Sequence, residues 1–445
     1  LVTARASFGA APGDGTLVVV FLRGGLDGLS ALVPADDPAL LSARPDVGVP
    51  GGALLPLDRG FGLHPKMAGL HDLYKLGKFT AIPAVSTPEL SRSHFQAQDC
   101  LERGGSATGA IEGWLDRVLN KMGPGTTFRS VCQGSTLSRA MAGSSPTLTI
   151  SKVEAFELGV WEGVHERTRN ALSALYTGLD HPLAGAVTTT FGALDTAATL
   201  NKSGYQPGAE YAEGAFPEGL RELAHLIKGD VGLRVATIDF GGWDHHEHMG
   251  KVDDGQTQDM LGQLSTGLSA FAKDLGPKLD TTTVVVITEF GRRVEQNASW
   301  GTDHGHGATV MVLGGGVKGG TVYGASDELG MHVAEAVGWF LDGGPLITGQ
   351  LLVLDGGVHL CERRGRHETS WSSSLDPAPA GAAPFGSMGA SSPAIPPQPL
   401  SGKATARTEQ AIDAPETEPA AKEAVEPEKL HLRGDNQNDD NEIAV

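Results

Sequence analysis

Five aliphatic runs constrain this chain more than any other feature: TLVVVFL from Thr16, KFTAIPAV from Lys78, LRVATIDF from Leu233, TTTVVVITEF from Thr281 and ATVMVLG from Ala308. A strand with one wet face alternates apolar and polar residues. Continuous Val, Ile and Leu without that alternation describe strands covered on both faces, which is the condition of a buried parallel sheet. Helical spacing fills the intervals at Lys66 to Leu76, Ala110 to Met122, Pro217 to Ile227 and Gln256 to Leu279. Strand and helix in alternation predict an α/β fold: a mostly parallel central sheet, doubly wound, with helices on both faces. The stretch from about Thr127 to Gly214 is poorer in strand runs and richer in Ser, Thr and Ala, and reads as inserted helices and loops that cap the site.

Composition divides the 445 residues further. Residues 1–15 read as a signal-peptide remnant or linker, because the chain opens on Leu and small residues, VTARASFGAAPGDG, and a plain truncation is the alternative. Residues 16–326 form the α/β domain. Residues 327–361 change texture, with an amphipathic helical pattern, a Gly-Pro turn and one strand ending in DGG. Residues 362–445 are rich in Pro, Ala, Ser and Glu, bury too little apolar surface to offset chain entropy, and are expected to be disordered. A net charge of −19, from 53 acidic and 34 basic residues, excludes a nucleic-acid partner, since no basic stripe is present to meet phosphates. The three cysteines, Cys100, Cys132 and Cys361, are too far apart for a zinc knuckle. No apolar run reaches the roughly 20 residues of a membrane span. Neither the substrate nor the oligomeric state is readable from composition.

Four segments carry chemistry. In DFGGWDHHEH, an apolar strand delivers Asp239, Asp244, His245, His246 and His248 at its carboxyl end, with Asp244 and His246 the first choices as metal ligands. In TEFGRR followed by GTDHGHG, Glu289, Asp303, His304 and His306 form a second oxygen- and nitrogen-rich group, although Glu289 and Arg292 paired as a loop-ordering ion pair is the plainer alternative. RGGLDG places Arg23 and Asp27 just past the first strand. SRSHF places Ser91, Arg92, Ser93 and His94 ahead of a helix, where Ser93 is a candidate nucleophile, Arg92 a cation for an oxyanion, and a serine N-cap the plainer alternative. His64 in GLHP lines the site or is a buried structural imidazole. Carboxylates mixed with imidazoles and no thiolate do not select among Zn, Mn, Mg, Fe and Ca.

Taken in order, RGGLDGLS, GLHP, RSHFQAQD, DFGGWDHH, TEFGR, GTDHGHG and LGGGVKGGTVYG closely resemble the exported bacterial proteins of the domain-of-unknown-function 1501 family, from about Thr16 to Gly324. That family is related to the alkaline phosphatase and sulfatase superfamily. The resemblance implies an alkaline-phosphatase-like α/β sandwich, twin-arginine export to the periplasm or beyond, and a site similar to a two-metal phosphatase centre. Carried over position by position, it implies Asp27, Asp244, His246, Glu289 and His304 as metal ligands, with Ser93 near the place of the nucleophile. The reading of the residues adds Asp303 to the ligands and sets Arg92, Arg23 and His94 with Ser93 as the candidate catalytic group. The sulfatase cysteine signature and a clear phosphatase serine motif are both missing. The segment MHVAEAVGWFLDGGPLITGQLLVLDGGVHL is similar to the end of short-chain dehydrogenases/reductases, but no TGxxxGxG or YxxxK accompanies it, so dehydrogenase chemistry is not expected.

The expected function is therefore metal-dependent hydrolysis of a phosphate or sulfate ester, small or polymer-borne. Divalent ions (Zn, Mn, Mg or Ca) would polarise the ester and generate a hydroxide or serinate nucleophile. The alternative is a secreted binding or assembly protein that keeps a hydrolase-like fold without turnover.

Overall fold

The computed structural model describes residues 15–35, 37–87, 91–104, 111–176, 178–179, 182–323 and 353–354. The chain divides into two units, 1–368 and 369–445. The segments read above as a signal remnant or linker (up to Asp14), as a tail (362–445) and, except for residues 353–354, as a dehydrogenase-like fragment (327–361) lie outside the described residues.

In chain order the strands are β1 (Thr16–Leu22), β2 (Leu32–Pro34), β3 (Leu55–Pro56), β4 (Phe61–Leu63), β5 (Phe79–Ser86), β6 (Ser130–Gln133) and β7 (Leu148–Ile150). They continue with β8 (Val235–Phe240), β9 (Thr282–Thr288), β10 (Arg292–Gln296), β11 (Thr302–His304), β12 (Ala308–Gly314) and β13 (Val353–Leu354). The helices are α1 (Gly28–Ala31), α2 (Pro38–Ala43), α3 (Ala68–Lys75), α4 (His94–Arg103), α5 (Trp114–Met122), α6 (His165–Tyr176), α7 (Pro182–Lys202), α8 (Ala215–Lys228) and α9 (Gln256–Leu275). Each of the five aliphatic runs is a strand of one sheet, ordered β13-β5-β12-β9-β1-β8-β6-β7. β1 lies at its centre, parallel to β8 and to β9, and β6 continues the parallel set beside β8. β12 runs antiparallel between β5 and β9, so the sheet is mixed and mostly parallel.

Every residue of β1 is buried, because its two faces meet two cores. Val18, Val20 and Leu22 pack with Leu70, Leu223, Leu264 and Phe271, which belong to α3, α8 and α9. Leu17, Val19 and Phe21 pack on the opposite face with Leu101, Leu115, Val118 and Leu119 of α4 and α5. Each such side chain contributes about 1.5–3 kcal/mol of transfer free energy, so the central strands anchor the loops that leave their carboxyl ends.

The region from Thr127 to Gly214 differs from its expectation in two ways. It contains β6 and β7, whose runs SVCQ and LTI are too short to stand out as strands, yet both extend the parallel sheet. Its helical part packs at the sheet edge instead of capping the site: Ala193, Ala197 and Leu200 of α7 share a core with Phe128, Val131 and Ile150. No described helix is long and apolar enough to cross a membrane.

Candidate metal centre

Because β8 and β9 flank β1 in parallel register, the loops after all three emerge at one edge of the sheet. The loop after β1 carries Gly24 and Gly25, the loop after β8 carries Asp244 and His246, and β9 runs directly into Glu289. The β10–β11 ladder then folds the chain back, setting His304 opposite Arg292. The first residue of α4, His94, completes the group from the other side.

His94, Asp244 and His304 offer ligand atoms that all lie within 4.8 Å of one another. Asp244 Oδ2 is 3.3 Å from His94 Nε2, and Asp244 Oδ1 is 3.0 Å from both His304 Nε2 and His246 Nε2. The Nε2 atoms of His246 and His304 are themselves 2.9 Å apart. Ligands around one zinc ion at about 2.0 Å stand about 3.3 Å apart, close to these separations; the mutually close group is His94, Asp244 and His304, and His246 meets two of the three.

Each imidazole is braced from behind. His94 Nδ1 lies 2.8 Å from Glu289 Oε1, and His304 Nδ1 lies 2.8 Å from the Arg92 carbonyl oxygen. Both partners only accept, so each Nδ1 donates and the neutral ring presents the Nε2 lone pair to the cluster. His246 Nδ1 faces Asp303 Oδ1 at 3.5 Å. His94 Nε2 is buried without a hydrogen bond, despite its short separation from Asp244, because the angle is wrong for one. An orphaned nitrogen lone pair and two facing imidazole nitrogens beside a carboxylate are costly on their own, and a cation relieves both.

The electrostatics agree with that reading. Burial alone would raise the Asp244 carboxyl, but the Arg292 guanidinium bonded to it holds it at about 2. Burial also opposes ionisation of Glu289, and its bonds from His94 and Gln98 overcome this and hold it below its usual range. The Glu289 bond in turn raises His94, against the opposing effect of burial. Arg292, only 1% exposed in its side chain, donates to the Gly24, Gly25, Trp243 and Thr302 carbonyls and at 2.6 Å to Asp244, so one guanidinium ties three loops to the ligand.

Several expectations from the sequence need correction. Asp27 is withdrawn as a ligand: both its oxygens bond Arg44, at 2.5 and 2.9 Å, Ser30 bonds one of them, and the pair is buried. Glu289 stands behind the cluster, since Oε1 already accepts from His94, Gln98 and the Gly24 amide. It does not pair with Arg292 as the plainer reading had it. His94, placed with the catalytic group by the sequence, is a metal-ligand candidate by its position. Arg23 is committed to Glu102 at 2.7 Å and Asp239 at 2.9 Å, so its charge is already neutralised. With Asp27 and Glu289 engaged elsewhere, the described residues bring together ligands for one centre and not two. His64 is a structural imidazole, bonded through Nδ1 to the Lys66 amide and through Nε2 to the Lys251 carbonyl. His245 is buried against Thr257. Ser93 is half-buried at the N-cap of α4, but its hydroxyl makes no capping bond, and Arg92 beside it is exposed.

Gly24 and Gly301 show how tightly the loops approach. A Cβ on Gly24, whose φ is 119°, would stand 2.5 Å from the Asp244 amide nitrogen, and one on Gly301 would stand 2.1 Å from the His246 carbonyl carbon. Gly24→Ala is therefore expected to displace Asp244 and to weaken metal affinity by about tenfold or more, measured by competition with a chromogenic chelator. Unchanged affinity would mean that the loop yields without moving the carboxylate.

The family profile described as "Protein of unknown function (DUF1501)" matches residues 73–338. The chain belongs to that family. No curated protein sequence matches it. Similar solved structures include the C-terminal periplasmic domain of EcEptC from Escherichia coli in complex with Zn, at 10% identity over 69% of this chain and 74% of that one, with a TM-score of 0.32. They also include the PsFucS1 sulfatase from Pseudoalteromonas sp., at 12% identity over 74% and 68%, with a TM-score of 0.32. A third is a phosphonate monoester hydrolase of Agrobacterium radiobacter, at 10% identity over 69% and 70%, with a TM-score of 0.28. These likenesses are remote.

Proposed function

We propose that the chain is a divalent-metal-dependent hydrolase of phosphate or sulfate esters, small or polymer-borne, acting outside the cytoplasm as the family resemblance implies. The convergence of His94, Asp244 and His304, with His246 against two of them, carries the proposal, because bracing from behind is what aligns imidazoles for an ion. The side chains of Asp244 and His246 are 45% and 43% exposed, so a ligand from solvent can reach the point where they meet. Imidazoles outnumbering the carboxylate favour a transition metal such as Zn over the oxygen-seeking Mn, Mg and Ca. A divalent cation bound here supplies Lewis-acid charge that polarises an ester and favours an ionised hydroxyl nearby.

In this reading the chain's own residues divide the remaining work. Ser93, with its hydroxyl unused by the helix, is the nucleophile toward phosphorus or sulfur: it would displace the ester's alcohol, which leaves with a proton, and water would then release phosphate or sulfate and restore the hydroxyl. Arg92 pairs with the non-bridging oxygens from the exposed side. Arg292 and Glu289 hold the ligands in place. Metal-loaded protein is expected to hydrolyse p-nitrophenyl phosphate or p-nitrophenyl sulfate, to stop on chelation and to recover on metal return. Ser93→Ala is expected to lower turnover on the order of 1,000-fold while metal content stays unchanged. A second reading, a secreted binding or assembly protein, is favoured by one observation: Arg23 and Arg292 are both spent on carboxylates of the fold, leaving Arg92 to hold an anionic group. Bound metal with no turnover of either ester would select it.

A further inference from the structure

A second cavity opens at the same sheet edge, at the carboxyl ends of β6 and β8. It has a volume of about 240 Å³ and is lined by residues of Cys132–Gly134, Ser135, Thr136 and Ser138, Thr237–Asp239, and Ala215. At that size, below the usual drug-sized range of roughly 300–1,000 Å³, it accommodates a single ring.

We infer that this cavity is a binding site for a neutral polyhydroxylated ring, such as one pyranose unit. The argument starts from charge. Arg23 is shared between Glu102 and Asp239, so the group beside the cavity carries one positive and two negative charges and disfavours an anion. The polar remainder of the lining is hydroxyl and amide: Ser135, Thr136 and Gln133, with Ser138 and Thr237, whose hydroxyls already donate to Glu102 and to Cys132 Sγ and are left only to accept. Groups that both donate and accept suit ligand hydroxyls, which do the same.

Two lining side chains retain acceptors for them. Gln133 donates through Nε2 to the Ser151 carbonyl at 2.8 Å, and its Oε1 is buried with no partner. Asp239 uses Oδ1 for Arg23 and keeps Oδ2 for a second donor. A buried acceptor without a partner costs free energy that a ligand hydroxyl would recover. Ala215 and Ile238 add a small apolar surface for a ring's carbon face. The site does not depend on the metal reading, because none of its lining residues belongs to the cluster around Asp244.

Calorimetric titration of the full chain with a panel of neutral methyl pyranosides tests the inference, beside glucosamine, glucose 6-phosphate and inorganic sulfate. At least one neutral glycoside is expected to bind saturably. Gln133→Leu and Asp239→Asn should each weaken it by at least about fivefold, the loss of one or two hydrogen bonds. Thr136→Trp, at an exposed position on the rim, should block binding while leaving thermal unfolding unchanged, which separates a lost site from a lost fold. His94→Ala and chelation should leave affinity unaltered. Absence of binding by every neutral glycoside, binding indifferent to Gln133→Leu and Thr136→Trp, or tighter binding of glucosamine or the anions would overturn the inference.

Discussion

Protein purified from metal-replete medium is expected to carry about one equivalent of a transition-metal ion, and Asp244→Ala to lose it. Asp244 is the only carboxylate within reach of all three imidazole Nε2 atoms among the described residues, at 3.0 to 3.3 Å. Its removal also leaves the buried Arg292 guanidinium without a counter-charge, so the loops that position His304 and the Gly24 turn loosen together. Glu289→Gln gives the sharper measurement. It keeps the shape behind His94 but removes the charge that fixes the ring, and is expected to lower metal affinity by about 10–100-fold. Elemental analysis together with chelator competition reads both. If Asp244→Ala keeps its ion, or if the parent takes up none on remetallation, the centre is not a metal site and the hydrolase proposal falls with it.

Asp27→Ala is expected to act on stability and not on the metal. The Asp27–Arg44 pair is 2% and 1% exposed, and Arg44 also donates to the Arg293 and Val294 carbonyls, which anchors β10. Removing one partner of a buried pair costs about 3–5 kcal/mol because the other charge is left uncompensated. Urea denaturation should show that loss at neutral pH, while chelator competition on the folded fraction shows affinity unchanged. The pH dependence has a definite sign. Burial works to raise the Asp27 carboxyl, but Arg44 and Ser30 hold it below its ordinary 3.8. A depressed folded-state value means the stabilisation is complete above about pH 4 and is lost as pH falls through the folded value. Near-wild-type stability in Asp27→Ala together with lost metal would restore Asp27 as a ligand.

The division between what was legible and what was not follows the range of the interactions. Runs such as TLVVVFL declare buried strands because burial on both faces leaves no polar position in the run. SVCQ and LTI do not, since four or three residues carry no periodicity. Likewise, DFGGWDHH and GTDHGHG put Asp244, His246 and His304 behind strand-like runs, where ligands can converge. Nothing in the string RSHFQAQD distinguishes a catalytic His94 from a ligand, or reveals that Gln98, one helical turn on, would join His94 on the same Glu289 oxygen.

What the sequence by itself determined was therefore the buried parallel sheet, the edge at which its loops emerge, and the residue types gathered there. All three depend on local composition and on hydrophobic burial, which is non-directional and tolerant of register. Only the tertiary structure decided which carboxylate faces which cation. Asp27 went to Arg44, 17 positions along the chain, and Asp244 went to Arg292, 48 positions along. Glu289 went to His94, 195 positions back. Such pairings turn on angles and on separations of a few ångströms at chain distances that no local pattern encodes, and they separate ligand from scaffold within one set of acids.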